Sequence, residues 1–210
     1  NVTTQSELAS CCLAHLRSPP PPLLLLDLGC GSGLSTAALT TAGHVALGID
    51  VARDMIAMID PQHCCMPVHS DLSQGLPLRA ANNFDGAISV SALQWLKPDG
   101  QRALFTTLAG SLRPGASAVL QFYPPKPSDA LAAVAAARHA GLSARLAIDM
   151  PHAASRARKL FLTATRVASV EDVAEAAAGE EAAGHCPLAY PNPGGCRGRL
   201  ERQQRAMASS

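Results

Sequence analysis

The sequence predicts an α/β protein built on a doubly wound sheet of seven strands, mostly parallel with an antiparallel last strand. Three observations predict it. Short apolar runs bounded by prolines and glycines have the pattern of strands buried on both faces. These runs alternate with helix-like segments five times, and two more strand-like runs close the series. The first run, Leu23–Leu28, enters a glycine-rich turn, Gly29-Cys30-Gly31-Ser32-Gly33.

Each element follows from local chemistry. Ser6–Leu16 reads as a helix, and Pro19–Pro22 end it as a stiff extended linker. Leu23–Leu28 is the first strand, Ser35–Ala42 the next helix, and Gly43 its stop. Val45–Ile49 is the second strand and ends at Asp50. Ala52–Ile59 is helical, with Met55, Ile56 and Ile59 on one side, and Pro61 closes it. Met66–His69 is a third, weaker strand. Pro67 has no N–H for a ladder bond, which places this strand at a sheet edge. Phe84–Val90 is the fourth strand, Gln101–Leu112 a helix, and Ala116–Phe122 the fifth strand. Pro124, Pro125 and Pro127 interrupt the chain before an alanine-rich helix, Ala130–Ala140, that stops at Gly141. Arg145–Asp149 and Leu160–Val167 are the final strands. The whole is a Rossmann-like arrangement. The expected division is an N-terminal helix and linker over 1–22, a main domain over 23–167, and a tail over 168–210. The tail is Glu/Ala-rich at Glu171–Gly184, Pro/Gly-rich at His185–Arg199, and carries four arginines in Arg197–Arg205, so it reads as mobile or partner-dependent. The first residue is Asn1, and the chain is expected to start inside a longer protein.

Composition limits the function classes. The 210 residues are 48% hydrophobic, enough for one α/β core, and the net charge is +1. A nucleic-acid partner would have to be met by local basic patches, since the chain is not basic overall. No stretch reads as a membrane span or a signal peptide. Seven cysteines in an odd count without CxxC spacing suggest free thiols in a reducing compartment. His63, Cys64, Cys65 and His69 are the tightest metal-like cluster, but sequence neighbours in a strand point to opposite faces, so no metal site is expected.

The glycine turn defines a ligand. A dinucleotide turn needs G-x-G-x-x-G, and here the third glycine comes one residue early; a P-loop lysine is also lacking. Asp27 ends the strand where a pyrophosphate would approach, and a carboxylate there favours a cation instead. The expected ligand is a nucleoside with a positive end, and S-adenosylmethionine fits. Gly29, Gly31 and Gly33 let the backbone pass close to its methionine portion. Asp50 lies 21 residues beyond Gly29, the spacing at which an acidic side chain accepts both ribose hydroxyls. Asp71, just after the third strand, can accept the adenine amino group. Leu72 and Ser89 complete the cofactor set. Asp27 could alternatively cap a helix, and Asp71 could start a turn with Ser73.

At these residues the chain resembles a class I S-adenosylmethionine-dependent methyltransferase. Three further segments resemble the eukaryotic 18S rRNA (guanine-N7)-methyltransferase family: Asp71–Pro77 with FDGAISVSALQWL (Phe84–Leu96), RPGASAVLQFYPPKP (Arg113–Pro127), and AGLSARLAIDMPHAASRARKLFL (Ala140–Leu162). The resemblance covers roughly residues 5 to 165. It implies methylation of a guanine N7 in small-subunit rRNA within the pre-ribosome, in the nucleus and secondarily the cytoplasm. It also implies a small zinc-binding activator protein as partner in a heterodimer. That partner would pair with the sheet edge and cover Met55, Met58 and Val68. The family's N-terminal segment that closes over the cofactor is only partly present, and its Lys/Arg-rich tail is replaced.

Guanine N7 carries a free lone pair, so no catalytic acid or base is expected. The substrate base must be displayed outside a stack. Ser91, Gln94, Trp95 and Tyr123 are the candidate substrate-binding residues, with Ser89 beside them, and Arg156, Arg158 and Lys159 are candidate phosphate contacts. Two other readings stay open at this point: a small-molecule or carboxylate methyltransferase of the same fold, and a mainly non-catalytic ribosome-assembly factor.

Overall fold

The structure is a computed structural model, and it describes residues 2–16, 22–62, 67–79, 83–149 and 159–167. The elements in chain order are α1 (Val2–His15), β1 (Leu24–Leu28), α2 (Leu34–Thr41), β2 (Val45–Asp50), α3 (Arg53–Ile56), β3 (Val68–His69), β4 (Phe84–Val90), α4 (Pro98–Ser111), β5 (Leu112–Phe122), α5 (Pro127–His139), β6 (Leu142–Asp149) and β7 (Lys159–Arg166). Short 3-10 turns at Leu72–Gln74 and Leu93–Trp95 follow β3 and β4. The tail over 168–210, together with His63, Cys64, Cys65, His152, Arg156 and Arg158, lies outside the described residues.

The strands form one seven-stranded sheet in the order β3-β2-β1-β4-β5-β7-β6. Strands β1 to β5 pair in parallel, and β7 runs antiparallel between β5 and β6. The doubly wound sheet with an antiparallel last strand is therefore present, and β3 is an edge strand, as Pro67 predicts. The apolar runs are inner strands because both faces are covered. One face packs Phe105, Leu104 and Leu108 of α4 and Ala133 and Ala137 of α5 against Leu26, Leu28 and Leu120. The other packs Leu8, Ala9, Cys12 and Leu13 of α1 and Leu39 of α2 against Leu25, Ile88 and Val119. Helix α1 is thus part of the packed body.

Some elements differ from expectation. Helices α4 and α5 start earlier, each with a proline in its first turn, where the missing N–H costs nothing. Helix α3 is a single turn rather than a run to Ile59. Ile56 and Ile59 pack with Cys30, but Met55 is exposed, so the three do not share one buried side. Cys12 and Cys30 are free and buried. Cys11 is disulfide-bonded, so the expectation of free thiols fails there.

Candidate active site at the carboxyl ends of the strands

The glycine turn leaves β1 and folds back on the end of β2. The amides of Gly29 and Cys30 both donate to the Ile49 carbonyl, at 2.8 and 3.1 Å. Gly29, Gly31 and Gly33 all have positive φ, at 78°, 53° and 84°, a region that side chains disfavour. A Cβ on Gly29 would sit 2.3 Å from the Ala92 Cβ, so this glycine also lets the turn meet the segment after β4. A Cβ on Gly31 would meet only the tip of Met55, at 3.7 Å, so the space beside this residue is open.

Asp50 closes the turn from the other side. Its Oδ2 accepts the Gly31 amide and its Oδ1 the Ala52 amide, both at 2.8 Å. The carboxylate is half-buried, and each oxygen keeps a lone pair for a further donor.

Asp27 is fully buried behind the turn. Its Oδ2 accepts from Ser35 Oγ at 2.7 Å and Thr36 Oγ1 at 2.6 Å, both in the first turn of α2. Its Oδ1 is buried with no protein partner. Burial pushes the carboxyl up to about 6. The two hydroxyls oppose this, and the Asp50 charge adds to it. Asp27 therefore anchors α2 and holds one unmatched acceptor. A buried oxygen with no donor is costly, and an ammonium group or a water would relieve it.

Asp71 sits at the rim and is exposed. It caps the turn Leu72–Gln74 by accepting the Ser73 amide at 2.8 Å and the Ser73 hydroxyl at 2.7 Å, and these bonds hold its pKa below the usual carboxylate range. The Leu72 side chain packs in the core. Ser89 is buried and donates from Oγ to the Leu28 carbonyl at 2.7 Å, bracing β4 against β1.

The ends of β4 and β5 form the other half of the site. Ser91 has φ 58°, and among the described residues it is alone in having a positive φ without being glycine. Its hydroxyl donates to Gln121 Oε1 at 2.9 Å, and its amide donates to the Gln121 carbonyl at 2.9 Å. Gln94 bridges the two strand ends: Nε2 donates to the Ser91 carbonyl at 2.8 Å, and Oε1 accepts the Tyr123 amide at 3.4 Å. Trp95 is 81% exposed and Tyr123 45% exposed. Lys159 donates to the Tyr123 hydroxyl at 2.8 Å.

Gln121 is the functional candidate that the sequence reading missed. It is fully buried, and its Nε2 has no partner. A glutamine inside the apolar run Ala118–Phe122 was the available signal, since such a side chain must find partners across the sheet. Ser35 and Thr36 were missed for a related reason, because their role depends on where α2 docks.

The residues present fit S-adenosylmethionine. The turn offers open backbone beside Gly31, Asp50 offers a carboxylate for a diol, and the Asp27 Oδ1 is an unmatched acceptor. Sheet order, antiparallel β7 and this site together define the class I S-adenosylmethionine-dependent methyltransferase fold.

Comparison with known proteins agrees. A methyltransferase-domain family model matches residues 25–115. The chain is 39% identical over 150 residues to a probable 18S rRNA (guanine-N7)-methyltransferase of Dictyostelium discoideum, covering 67% of this chain and 52% of that protein. It is 36% identical over 151 residues to the 18S rRNA (guanine-N7)-methyltransferase of Mus musculus, covering 67% and 53%. The chain is similar to 18S rRNA (guanine-N7)-methyltransferases over two thirds of its own length, and spans about half the length of these curated relatives. Among solved structures, magnesium protoporphyrin IX methyltransferase from Synechocystis PCC 6803, with bound S-adenosylmethionine, shares the fold at TM-score 0.56 and 22% identity, covering 79% of each chain. The complex between the Haloferax volcanii Trm112 methyltransferase activator and a methyltransferase matches at TM-score 0.59 and 19% identity, covering 79% of this chain and 91% of that one.

Proposed function

We propose that this protein transfers the methyl group of S-adenosylmethionine to N7 of a guanine in small-subunit (18S) rRNA during ribosome biogenesis. The observation that carries the reading is the 36–39% identity to guanine-N7 enzymes over two thirds of the chain. Bound cofactor supplies an electrophilic methyl group. Asp50 accepts the ribose hydroxyls, Asp71 the adenine amino group, and Asp27 Oδ1 faces the ammonium end. Gly29, Gly31 and Gly33 border the methionine portion, with the Leu72 main chain and Ser89 supporting it.

The chemistry asks little of the protein beyond placement. N7 attacks with its own lone pair, so no base need remove a proton, and rate comes from alignment and exclusion of water. The polar groups braced between the ends of β4 and β5 suit that demand: a hydroxyl on Ser91 and two neutral amides, on Gln94 and Gln121. Ser91, Gln94, Trp95 and Tyr123 orient the base.

A small zinc-binding activator protein completes the enzyme in this reading. Val51, Met55 and Met58 are exposed beside the short edge strand β3, with Met58 at 70%, and Val68 is half-buried. An added strand would pair with that edge and cover these side chains. In this reading the work is done in the nucleus and secondarily in the cytoplasm, where small-subunit rRNA matures; among the described residues no helix is long and apolar enough to cross a membrane.

The test is transfer of labelled methyl from S-adenosylmethionine to 18S rRNA in immature small subunits, by the chain co-purified with its activator. Label at a guanine N7 is expected. Label on small molecules alone, or rescue of ribosome assembly by an Asp50→Ala variant that binds no cofactor, would each remove this reading.

A further inference from the structure

The rim formed by the ends of β4 and β5 holds two exposed rings, and the fold displays them rigidly. Trp95 closes a 3-10 turn that is fixed on three sides. Leu93 is buried in the core, Gln94 reaches back to the Ser91 carbonyl, and Gln101 of α4 donates to the Leu96 carbonyl at 3.1 Å. An 81% exposed indole on a mobile loop would need no explanation. Held on a braced turn, it keeps a large apolar face in water, a costly arrangement that a ligand would repay. Tyr123 is tied to the same turn, because its amide bonds to Gln94 Oε1.

One lysine touches one of these rings and two more lie close to them in sequence. Lys97 precedes α4 and lies two residues after Trp95, and Lys126 precedes α5 and lies three residues after Tyr123. Lys159 opens β7, which runs antiparallel to β5 and so starts where β5 ends. Its Nζ lies 2.8 Å from the Tyr123 hydroxyl and 4.9 Å from the ring centroid. Among the described residues no carboxylate forms an ion pair with any of the three. Beside Lys97 and Lys126, Asp99 pairs with Arg102 and Asp129 accepts the Lys126 main-chain amide, while Asp149 stands opposite Lys159 in the β6–β7 register. In a chain of net charge +1, this is a local cationic collar around aromatic faces.

We infer that Trp95 and Tyr123 form a stacking clamp for unpaired RNA, with Lys97, Lys126 and Lys159 taking the phosphates of the nucleotides that flank the reacting base. This rests on the rRNA methyltransferase reading and adds the form of the substrate it accepts. The rings need base faces that a duplex hides, so the clamp selects a strand already splayed out of its helix. Charge separates this occupant from a protein partner, since the collar is cationic and the phosphate backbone anionic.

The chain contains one tryptophan, so Trp95 emission reads the clamp directly. The full chain is titrated with a guanosine-containing hexaribonucleotide, with the same strand in a duplex, and with polyglutamate. The single strand should quench emission saturably and bind at least about tenfold more tightly than the duplex. Lys97→Gln, Lys126→Gln and Lys159→Gln should each flatten the slope of log K against log[salt] by about 0.7. Trp95→Ala, followed by anisotropy of a labelled strand, should weaken binding about tenfold with unchanged thermal stability. Equal binding of duplex, equal quenching by polyglutamate, or unchanged salt slopes in folded lysine variants would overturn the clamp. If quenching holds but no guanine is methylated, the clamp stands and the rRNA methyltransferase reading falls. If methylation holds with KM unmoved by Trp95→Ala and no quenching occurs, the clamp alone falls.

Discussion

The two halves of the site are built differently. Around β1 and β2, acidic side chains meet backbone amides and hydroxyls that mostly lie close in sequence, Asp27 with Ser35 and Thr36, Asp50 with Ala52 and Asp71 with Ser73, the exception being the Gly31 amide on Asp50. Around β4 and β5, neutral amides join residues about thirty positions apart, Ser91 to Gln121 and Gln94 to Tyr123. The first half stores charge for a cofactor of fixed chemistry. The second is a scaffold of amides that holds rings in place. Most contacts of the first half are local in sequence, whereas those of the second are assembled by sheet register.

Gly29→Ala should break this contrast most severely, because that glycine joins the halves. The new Cβ meets Ala92 at 2.3 Å, on a backbone of φ 78°. A loss of about 3–5 kcal/mol is expected in chemical denaturation, together with loss of cofactor binding. Adding Ala92→Gly should recover the steric part and leave about 1–2 kcal/mol of backbone strain. No recovery in the double variant would mean that the halves do not meet there.

Asp50→Ala removes the acceptor of two backbone amides and, on the proposed reading, the ribose contact. Calorimetry should show cofactor affinity falling about 100-fold, while Trp95 emission of the free protein stays unchanged. A shift in that emission would show that the halves are coupled rather than separate.

Asp27 sharpens the electrostatic side. An unfolded aspartate titrates near 3.8, and this one titrates near 6 in the fold. The folded state therefore holds the proton more tightly. The contribution to stability is fully present below about pH 4 and is lost as pH rises through 6. Asp27→Asn should remove that loss, raising the stability of the cofactor-free protein by about 2–3 kcal/mol at pH 7.5 relative to the parent, with the gap closing below pH 4. The same variant should bind cofactor more weakly. A gap that does not change with pH would refute the assignment.

Ser91 gives the smallest effect. Ser91→Ala leaves the Gln121 Oε1 without its donor and should cost about 1–2 kcal/mol. Ser91→Gly loses the same bond but relieves the positive φ, and should cost about 1 kcal/mol less. Neither should move cofactor affinity. Equal stabilities for the two variants would show that the backbone at Ser91 is not strained.

Legibility in the sequence follows the same division. β4 was read over its full extent, and β1 and β2 to within a residue, because apolar runs between glycines and prolines report buried strands directly. The starts of α4 and α5 were missed by three residues each; Pro127 read as a breaker, and both Pro98 and Pro127 are first-turn residues. The acids at strand ends could be found from spacing alone. The helix-anchoring partners of Asp27 could not, since they depend on how α2 docks.

By itself the sequence determined the order of strands and helices, the glycine turn, and the acidic residue at the end of each cofactor-side strand. These rest on periodicity and on backbone conformations that few residues can adopt, and both are local properties. Tertiary structure decided the rest. It buried Asp27 and left one oxygen unmatched, brought Gln121 to Ser91 through the β4–β5 register, and set Lys159 against Tyr123 by reversing β7. Those outcomes depend on which strands pair and at what offset, and that is settled only when the whole core packs.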